Sequence, residues 1–366
     1  MRVALGLARR GLGNTHPNPT VGCVLARPDW NNRVVGRGWT QAGGRPHAET
    51  VALKQAGDQA KGATAYVTLE PCCHHGETAP CSDALIAAGI KRAVIAMEDP
   101  DHRVSGQGIT ALKEAGIHVT TEVCSAEAKH LNAGFVMRIL ENRPTFTLKT
   151  ATTLDSKIAT ASGDSQWITG PEARAAGHAL RATHDAILTG IGTVMADDPL
   201  LTCRLPGCEA RSPIRIVLDA GLSITNNHAL IKSASLDAPV WIFVSEKIVS
   251  SEDTVRRKLT DGVRVFYSPE TNEGYVDPGF VANTLAGEGI TRVLIESGGT
   301  VAASFIAAGL VDQIVWFRAA SLIGGDGKSA IAGLGVDTLE TTQIFERISA
   351  RQVGADMMET YIANPA

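Results

Sequence analysis

Short apolar runs alternate with helical stretches along the first part of this chain, and that alternation limits its fold more than any other feature. "TVGCVLA" and "RVVGRGW" read as paired strands joined by the turn-rich "RPDWNN". Residues 47–56 read as a helix stopped at Gly57. Strand "TAYVTLE", helix "CSDALIAAG", strand "RAVIAME", helix "GITALKEAG", strand "IHVTTEV" and a longer helix "SAEAKHLNAGFVMRILEN" follow in turn. Strands alternating with helices imply a largely parallel or mixed sheet in a three-layer α/β domain, because each crossover lays a helix on a sheet face. The proline of "ENRP" ends the last helix, so the expected division is residues 1–143 and 144–366.

The second part opens with strand "TFTLKTA", a helix-like "PEARAAGHALRAT", and strands "DAILTGI", "IRIVLDA" and "VWIFVS". The stretch 244–290 is polar and weakly patterned. After it, "TRVLIESGGTVAASFIAAGLVDQIVWFRA" reads strand, glycine turn, helix, strand, which makes a second α/β domain. A chain of 366 residues exceeds what one core usually organises, in keeping with two domains. Its 44% apolar and 20% charged residues are those of a soluble globular protein. The nearest approach to a membrane span, "VAASFIAAGLV", is too short and stops at Asp312. No apolar stretch follows Arg9 and Arg10, so no signal peptide is expected, and an odd seven cysteines fit a reducing cytoplasm. A net charge of −4 argues against bulk nucleic-acid binding but leaves room for a basic pocket that holds one phosphate.

The chemistry concentrates in "PHAET" and "EPCCHHGETAPC". Zinc takes nitrogen from His and sulfur from Cys, and a catalytic site keeps one position for water. His47, Cys72 and Cys81 supply that set, and each follows a proline, which favours placement at helix starts where the helix dipole stabilises thiolate. Glu49 separates a structural metal from a catalytic one. A structural zinc gains nothing from a carboxylate there, whereas a water activated by zinc gains a general base and acid. His-x-Glu followed by Pro-Cys and a second Cys is the pattern of zinc deaminases, with the Glu outside the metal shell. The alternative, a structural site built from Cys72, Cys73, Cys81 and His74 or His75, leaves Glu49 without a role. Eight residues separate Cys72 from Cys81 where deaminases usually have two, so the insertion is expected to form a loop beside the metal.

"HPNPTVGCVL", "PHAET", "TLEPCCHHGETAPC" and "ALIAAGI" resemble the deaminase half of the bifunctional riboflavin-biosynthesis deaminase–reductases, and "GTVMADDPLLTCR" and "IESGGT" resemble the reductase half. The resemblance spans nearly the whole chain. It implies a cytidine-deaminase-like first domain and a dihydrofolate-reductase-like second one. It also implies two consecutive reactions: deamination of a diaminopyrimidinone ribosylamine phosphate, then NADPH-dependent reduction of the ribosyl unit to ribityl. On this reading His47, Cys72 and Cys81 hold one zinc and Glu49 moves the proton, while Asn18 and His74 contact the pyrimidine. In the second half Ala151, Trp167, Thr193, Asp197, Gly298, Gly299 and Thr300 line the NADPH site. Ser165, Arg181, Leu201, Arg204 and Glu296 contact substrate, and Lys149 and Asp197 orient it and handle the proton. The resemblance further implies a small-molecule substrate and a homodimer formed through the reductase domain.

Three departures from the family pattern stand out. Glu77 occupies a place where the family loop usually has Lys or Arg, and an anion there would repel a phosphate. Ser156 replaces a usual glycine, which would strain the loop if that position needs a positive φ. Ala220 replaces a frequent serine, removing one hydrogen bond to cofactor. Cys23, Cys124, Cys203 and Cys208 read as ordinary thiols. Two rival readings are a base or nucleoside deaminase joined to an unrelated domain, and a zinc-stabilised binding protein without catalysis.

Overall fold

In the computed structural model the chain divides into two compact units, Met1–Arg143 and Pro144–Ala366. The structure describes residues 1–73, 79–102, 104–251 and 262–363. The first unit has strands β1 (Gly22–Arg27), β2 (Arg33–Trp39), β3 (Thr64–Val67), β4 (Arg92–Ile95) and β5 (His118–Thr120), ordered β2-β1-β3-β4-β5. β1 runs antiparallel to β2 and β3, whereas β3, β4 and β5 are parallel. Helices α1 (Arg2–Ala8), α2 (Ala48–Ala56), α3 (Cys81–Ala87), α4 (Gln107–Glu114), α5 (Ser125–Leu131) and α6 (Ala133–Glu141) accompany it. A large apolar cluster, including Leu25, Val67, Leu85, Ile95 and Leu112, fills most of the unit, and a smaller one joins Ala4 and Leu7 of α1 to Val24 of β1.

Small residues set how closely α2 lies on this sheet. A Cβ on Gly38 of β2 would come within 2.1 Å of the Ala48 carbonyl oxygen, and one on Gly36 within 2.2 Å of that of Ala52. Any larger residue would lift α2, and the chain that leads into it, off the sheet. The single helix expected over 125–142 is instead two, broken at Asn132 with φ −99° and ψ 17°. The Asn132 amide is buried and works on both sides: Oδ1 accepts from Thr20 N at 2.9 Å and Nδ2 donates to Thr20 O at 3.2 Å. This long-range pairing with Thr20 falls at the break, although the apolar period runs straight through it.

The second unit carries β6 (Thr145–Thr152), β7 (Lys157–Ala159), β8 (Ala186–Gly190), β9 (Ile214–Leu218), β10 (Val240–Ser245), β11 (Val263–Ser268), β12 (Arg292–Ile295), β13 (Val311–Arg318), β14 (Lys328–Ser329), β15 (Phe345–Val353) and β16 (Asp356–Ala363). Nine of these form one sheet, ordered β11-β10-β9-β8-β12-β6-β13-β16-β15. Neighbours from β11 to β13 are parallel, and β16 and β15 close that edge as an antiparallel hairpin. Both faces are covered, as parallel sheets require. Leu188 packs with Phe146, Leu148 and Phe305 on one face, while its neighbour Ile187 packs with Val217, Ile242 and Leu294 on the other. The weakly patterned stretch 244–290 contains β11 and a helix, Pro278–Gly287, capped by Asp277, whose Oδ1 accepts from Phe280 N at 2.7 Å. α7 (Pro171–Arg181), α8 (Ile191–Asp197) and the helix Gly299–Ala307 place the candidate residues of this unit.

Candidate active sites

His47 is the N-cap of α2, with extended φ −69° and ψ 160°, so it stands just outside the helix that Ala48 begins. Glu49 lies one residue further on, in the first turn, and is buried. Cys81 is the first residue of α3, and Cys72 lies on the chain that leaves β3. His47 Nδ1 is 3.3 Å from Cys81 Sγ and 3.6 Å from Cys72 Sγ, and Cys81 N donates to Cys72 Sγ at 3.4 Å. The three ligand atoms all lie within 4.8 Å of one another. One nitrogen and two sulfurs at that spacing fit a zinc ion with a position left for water.

The electrostatics match a ligand set. Cys72 is pulled down to about 4, chiefly by the hydrogen bond from the Cys81 thiol and then by that from His47. Cys81 is pushed up by that same contact and by burial. Burial raises Glu49 to about 7, against hydrogen bonding from its backbone and from Cys81. Behind it on β1, burial and the Glu49 carboxylate keep the Cys23 thiol protonated.

Cys73 faces away from this cluster: its thiol points at Gln107 Oε1, 3.8 Å off, and it is not part of the ligand triangle. Asn18 lies beside the chain leading into His47, since a Cβ on Gly44 would fall 2.0 Å from Asn18 Nδ2. His74 and Glu77 lie outside the described residues. One buried carboxylate, Glu70, was given no role by sequence reasoning. It accepts from Asp99 N at 3.2 Å, Gly106 N at 2.9 Å and Ile109 N at 3.0 Å. The only sequence signal for it is its place immediately before the Pro71-Cys72 pair.

Among the candidate residues of the second unit, the contacts centre on Glu296, the residue after β12. Register explains one partner: Ile295 pairs with Leu148 on β6, so Lys149 reaches the same carboxylate, with Nζ 3.5 Å from Oε2. Arg181, the last residue of α7, binds it through two parallel bonds, Nε to Oε1 at 2.8 Å and Nη2 to Oε2 at 2.9 Å. Burial alone would raise Glu296, but Lys149 and Arg181 outweigh it and hold the carboxyl at about 2. Arg181 Nη1 also donates to Thr202 O at 2.9 Å, and Arg204 N donates to His178 Nδ1 at 3.3 Å. These bonds tie the segment containing Leu201 and Arg204 to α7. Burial, and then Arg181 and Arg204, lower His178, a residue absent from the sequence-based set, below the ordinary imidazole value, in keeping with Nδ1 accepting from Arg204 N.

The remaining candidates occupy separate elements. Ala151 is half-buried on β6, and Thr193 and the exposed Asp197 lie on α8. Ser165 and Trp167 sit on the loop between β7 and α7, and Trp167 is 66% exposed with the Arg174 guanidinium 4.6 Å from its ring. Gly298 caps the helix Gly299–Ala307 and has open space where a side chain would point. Gly299 has none: a Cβ there would meet Ser329 O at 2.7 Å. A phosphate could approach the free N–H groups of this turn from the Gly298 side.

Two family models match the chain. The cytidine and deoxycytidylate deaminase zinc-binding region matches residues 1–97, and the RibD C-terminal domain matches residues 144–358. The riboflavin biosynthesis protein RibD of Escherichia coli (strain K12) is 41% identical over 98% of this chain and 96% of that protein. RibD of Aquifex aeolicus is 40% identical, over 98% of this chain and 96% of its own. Among solved structures, Acinetobacter baumannii RibD superposes with a TM-score of 0.86 at 34% identity, covering 100% of this chain and 98% of that one. A diaminohydroxyphosphoribosylaminopyrimidine deaminase/5-amino-6-(5-phosphoribosylamino)uracil reductase from Thermotoga maritima also gives a TM-score of 0.86, at 31% identity, over 100% and 97% of the two chains.

Proposed function

This chain belongs to the RibD family of riboflavin biosynthesis, and from that membership we propose how its own residues divide the two reactions. It is a deaminase and a reductase in one polypeptide. The first unit deaminates diaminohydroxyphosphoribosylaminopyrimidine and releases ammonia. The second reduces 5-amino-6-(5-phosphoribosylamino)uracil, turning its ribosyl side chain into ribityl. The observation that carries the reading is the convergence of His47, Cys72 and Cys81 with the buried Glu49 beside them.

His47, Cys72 and Cys81 would hold one zinc ion, whose chemistry is to make water nucleophilic near neutral pH. Glu49 takes the proton of the attacking water and delivers it to the departing amine, so one carboxyl serves as base and then acid. Its burial keeps bulk water from intercepting that proton. Asn18 and His74 bind the pyrimidine. Cys73, turned toward Gln107, stands outside the set of residues that would hold the zinc.

In the second unit a nicotinamide cofactor, proposed to be NADPH, supplies hydride. Ala151, Trp167, Thr193, Asp197 and the Gly298–Gly299–Thr300 turn would line its site. Ser165, Leu201, Arg204, Glu296 and Arg181 would contact the substrate, with Lys149 and Asp197 orienting it and supplying the proton. Arg181 commits three N–H groups to Glu296 and Thr202 O, so it fixes the carboxylate and offers its remaining donors to phosphate. A homodimer formed through this unit belongs to the same proposal and is checked by sedimentation.

A coupled assay tests the whole reading. The zinc-loaded chain is given the pyrimidine phosphate and NADPH, and ammonia and NADPH oxidation are followed together. Ammonia release followed by NADPH loss is expected. Ammonia without NADPH consumption would confine the reading to the first unit, and preference for cytidine or guanine would overturn its substrate.

A further inference from the structure

Glu70 sits two residues before Cys72 and is 3% exposed, and among the described residues it is backbone N–H groups that satisfy its carboxylate. Two of its three donors belong to the start of α4. Gly106 is the N-cap of that helix, with φ +76°, and having no side chain it cannot cap the helix itself. Glu70 does so from another segment. Oε2 accepts from Gly106 N at 2.9 Å and from Asp99 N at 3.2 Å, while Oε1 accepts from Ile109 N at 3.0 Å, in the first turn. A carboxylate there satisfies orphan donors and meets the positive end of the helix dipole.

The same contact presses α4 against the ligand-bearing chain. A Cβ on Gly108 would lie 2.0 Å from Pro71 O and 3.2 Å from Glu70 Oε1, so the helix touches the residue preceding Cys72. Cys72 O in turn accepts from Ser82 N at 3.1 Å and from Ser82 Oγ at 3.2 Å, which fastens it to the start of α3 beside Cys81. The Glu70 backbone is fixed as well, its N–H donating to Met97 O at 3.0 Å. The chain around Cys72 is thus held from two sides, by α3 and by the Glu70–α4 clamp.

We propose that Glu70 is a positioning residue of the deaminase site, a carboxylate clamp that joins the start of α4 to the Cys72 chain and sets that ligand's geometry. This rests on the zinc-site reading above. Glu70 touches neither substrate nor metal and acts through Pro71 and Cys72. Glu70→Gln turns one acceptor into a donor facing N–H groups, and Gly108→Ala pushes α4 off Pro71 with the carboxylate intact.

Zinc affinity is measured for both variants by chelator competition, well below their melting temperatures. Hydrogen exchange is followed at the Asp99, Gly106 and Ile109 amides of the metal-free chain. In Glu70→Gln these amides should exchange at least about tenfold faster, as expected when a buried acceptor is lost. In both variants the zinc dissociation constant should rise by about 10- to 100-fold, the usual effect of removing an outer partner of a ligand. Reduction by the second unit should be unchanged, since none of these residues belongs to it. A folded variant that merely lost stability would melt earlier but bind zinc as the wild type does. Wild-type zinc affinity in both variants overturns the proposal. A wild-type chain that takes no zinc and releases no ammonia overturns the site reading instead, and unchanged amide exchange would then overturn the clamp separately.

Discussion

The two candidate sites are built in opposite ways. In the first unit, residues from three short segments meet through their own side chains: one imidazole, two thiols and a buried carboxyl, each of a type that few other roles require. In the second, the described contacts form a structural ion network, Arg181 and Lys149 on Glu296, and the other candidates lie on separate strands, loops and helices. A metal ion is held by a few donor atoms that converge on one point. A dinucleotide site is a surface that becomes a site around its ligand, so its residues need not touch one another in the free protein. A defect in the first unit should therefore act on chemistry, and a defect in the second should act first on stability.

Stripping the metal breaks this contrast most severely. Dialysis against a strong chelator should abolish ammonia release altogether while the second unit still oxidises NADPH on the deaminated substrate. Zinc should restore the first activity. Loss of both activities together would mean that the metal supports the whole chain.

Glu49→Gln is the next largest effect. It preserves shape and leaves the ligand triangle untouched, so zinc content should be unchanged. Deamination should fall by about 10²- to 10⁴-fold, the range for removing a general acid and base. Zinc content and ammonia release measured on one preparation check this. A variant that retains full turnover would return the site to a structural metal.

Glu296→Gln sharpens the other side of the comparison. The folded carboxyl titrates at about 2, against an ordinary value of 4.5. Its contribution is therefore complete above about pH 4.5 and is lost as pH falls toward 2. The shift corresponds to on the order of 3 kcal/mol. Acid titration of unfolding should show a steep loss of stability of the second unit in that window for the wild type. In Glu296→Gln the window should flatten, and the unit should start out less stable because Arg181 and Lys149 lose their shared anion. Equal acid slopes in both proteins would show that the network carries no stability.

How much of this was legible in the sequence follows the same division. His47, Glu49, Cys72 and Cys81 could be read directly, because metal ligation restricts residue type and helix starts restrict position. The residues of the second unit came from resemblance alone, since glycines, threonines and arginines serve many purposes. In the fold, buried strands such as Val240–Ser245 announced themselves as apolar runs. β15 did not: from Glu346 to Gln352 every residue is exposed, so no inward face imposed a period of two. Asn132 and Glu70 escaped for a shared reason. Both act by satisfying backbone groups far along the chain, at Thr20 and at Asp99 to Ile109, and such partners leave no mark on local pattern.

The smallest effect tests whether backbone strain in the second unit has been accepted for a reason. Ser156 has φ +64°, a conformation that disfavours a side chain. Its neighbours hold it there: its N–H donates to Thr153 O at 3.1 Å, and its carbonyl accepts from Ala330 N at 3.1 Å. The next residue, Lys157, pairs with Ser329 in the small β7–β14 ribbon, and Ser329 O packs against Gly299. In Ser156→Gly two terms oppose each other. Relief of the left-handed strain favours the folded state by about 1–2 kcal/mol, and the freer unfolded chain costs about 0.4–1 kcal/mol. The net expectation is a gain of about 0.8 kcal/mol, or a rise of roughly 2–3 °C in the melting temperature of this unit. Calorimetry of the two proteins measures it. If the glycine variant melts lower instead, the serine side chain contributes more than its strain costs, and the usual glycine at this place would not be interchangeable with it here.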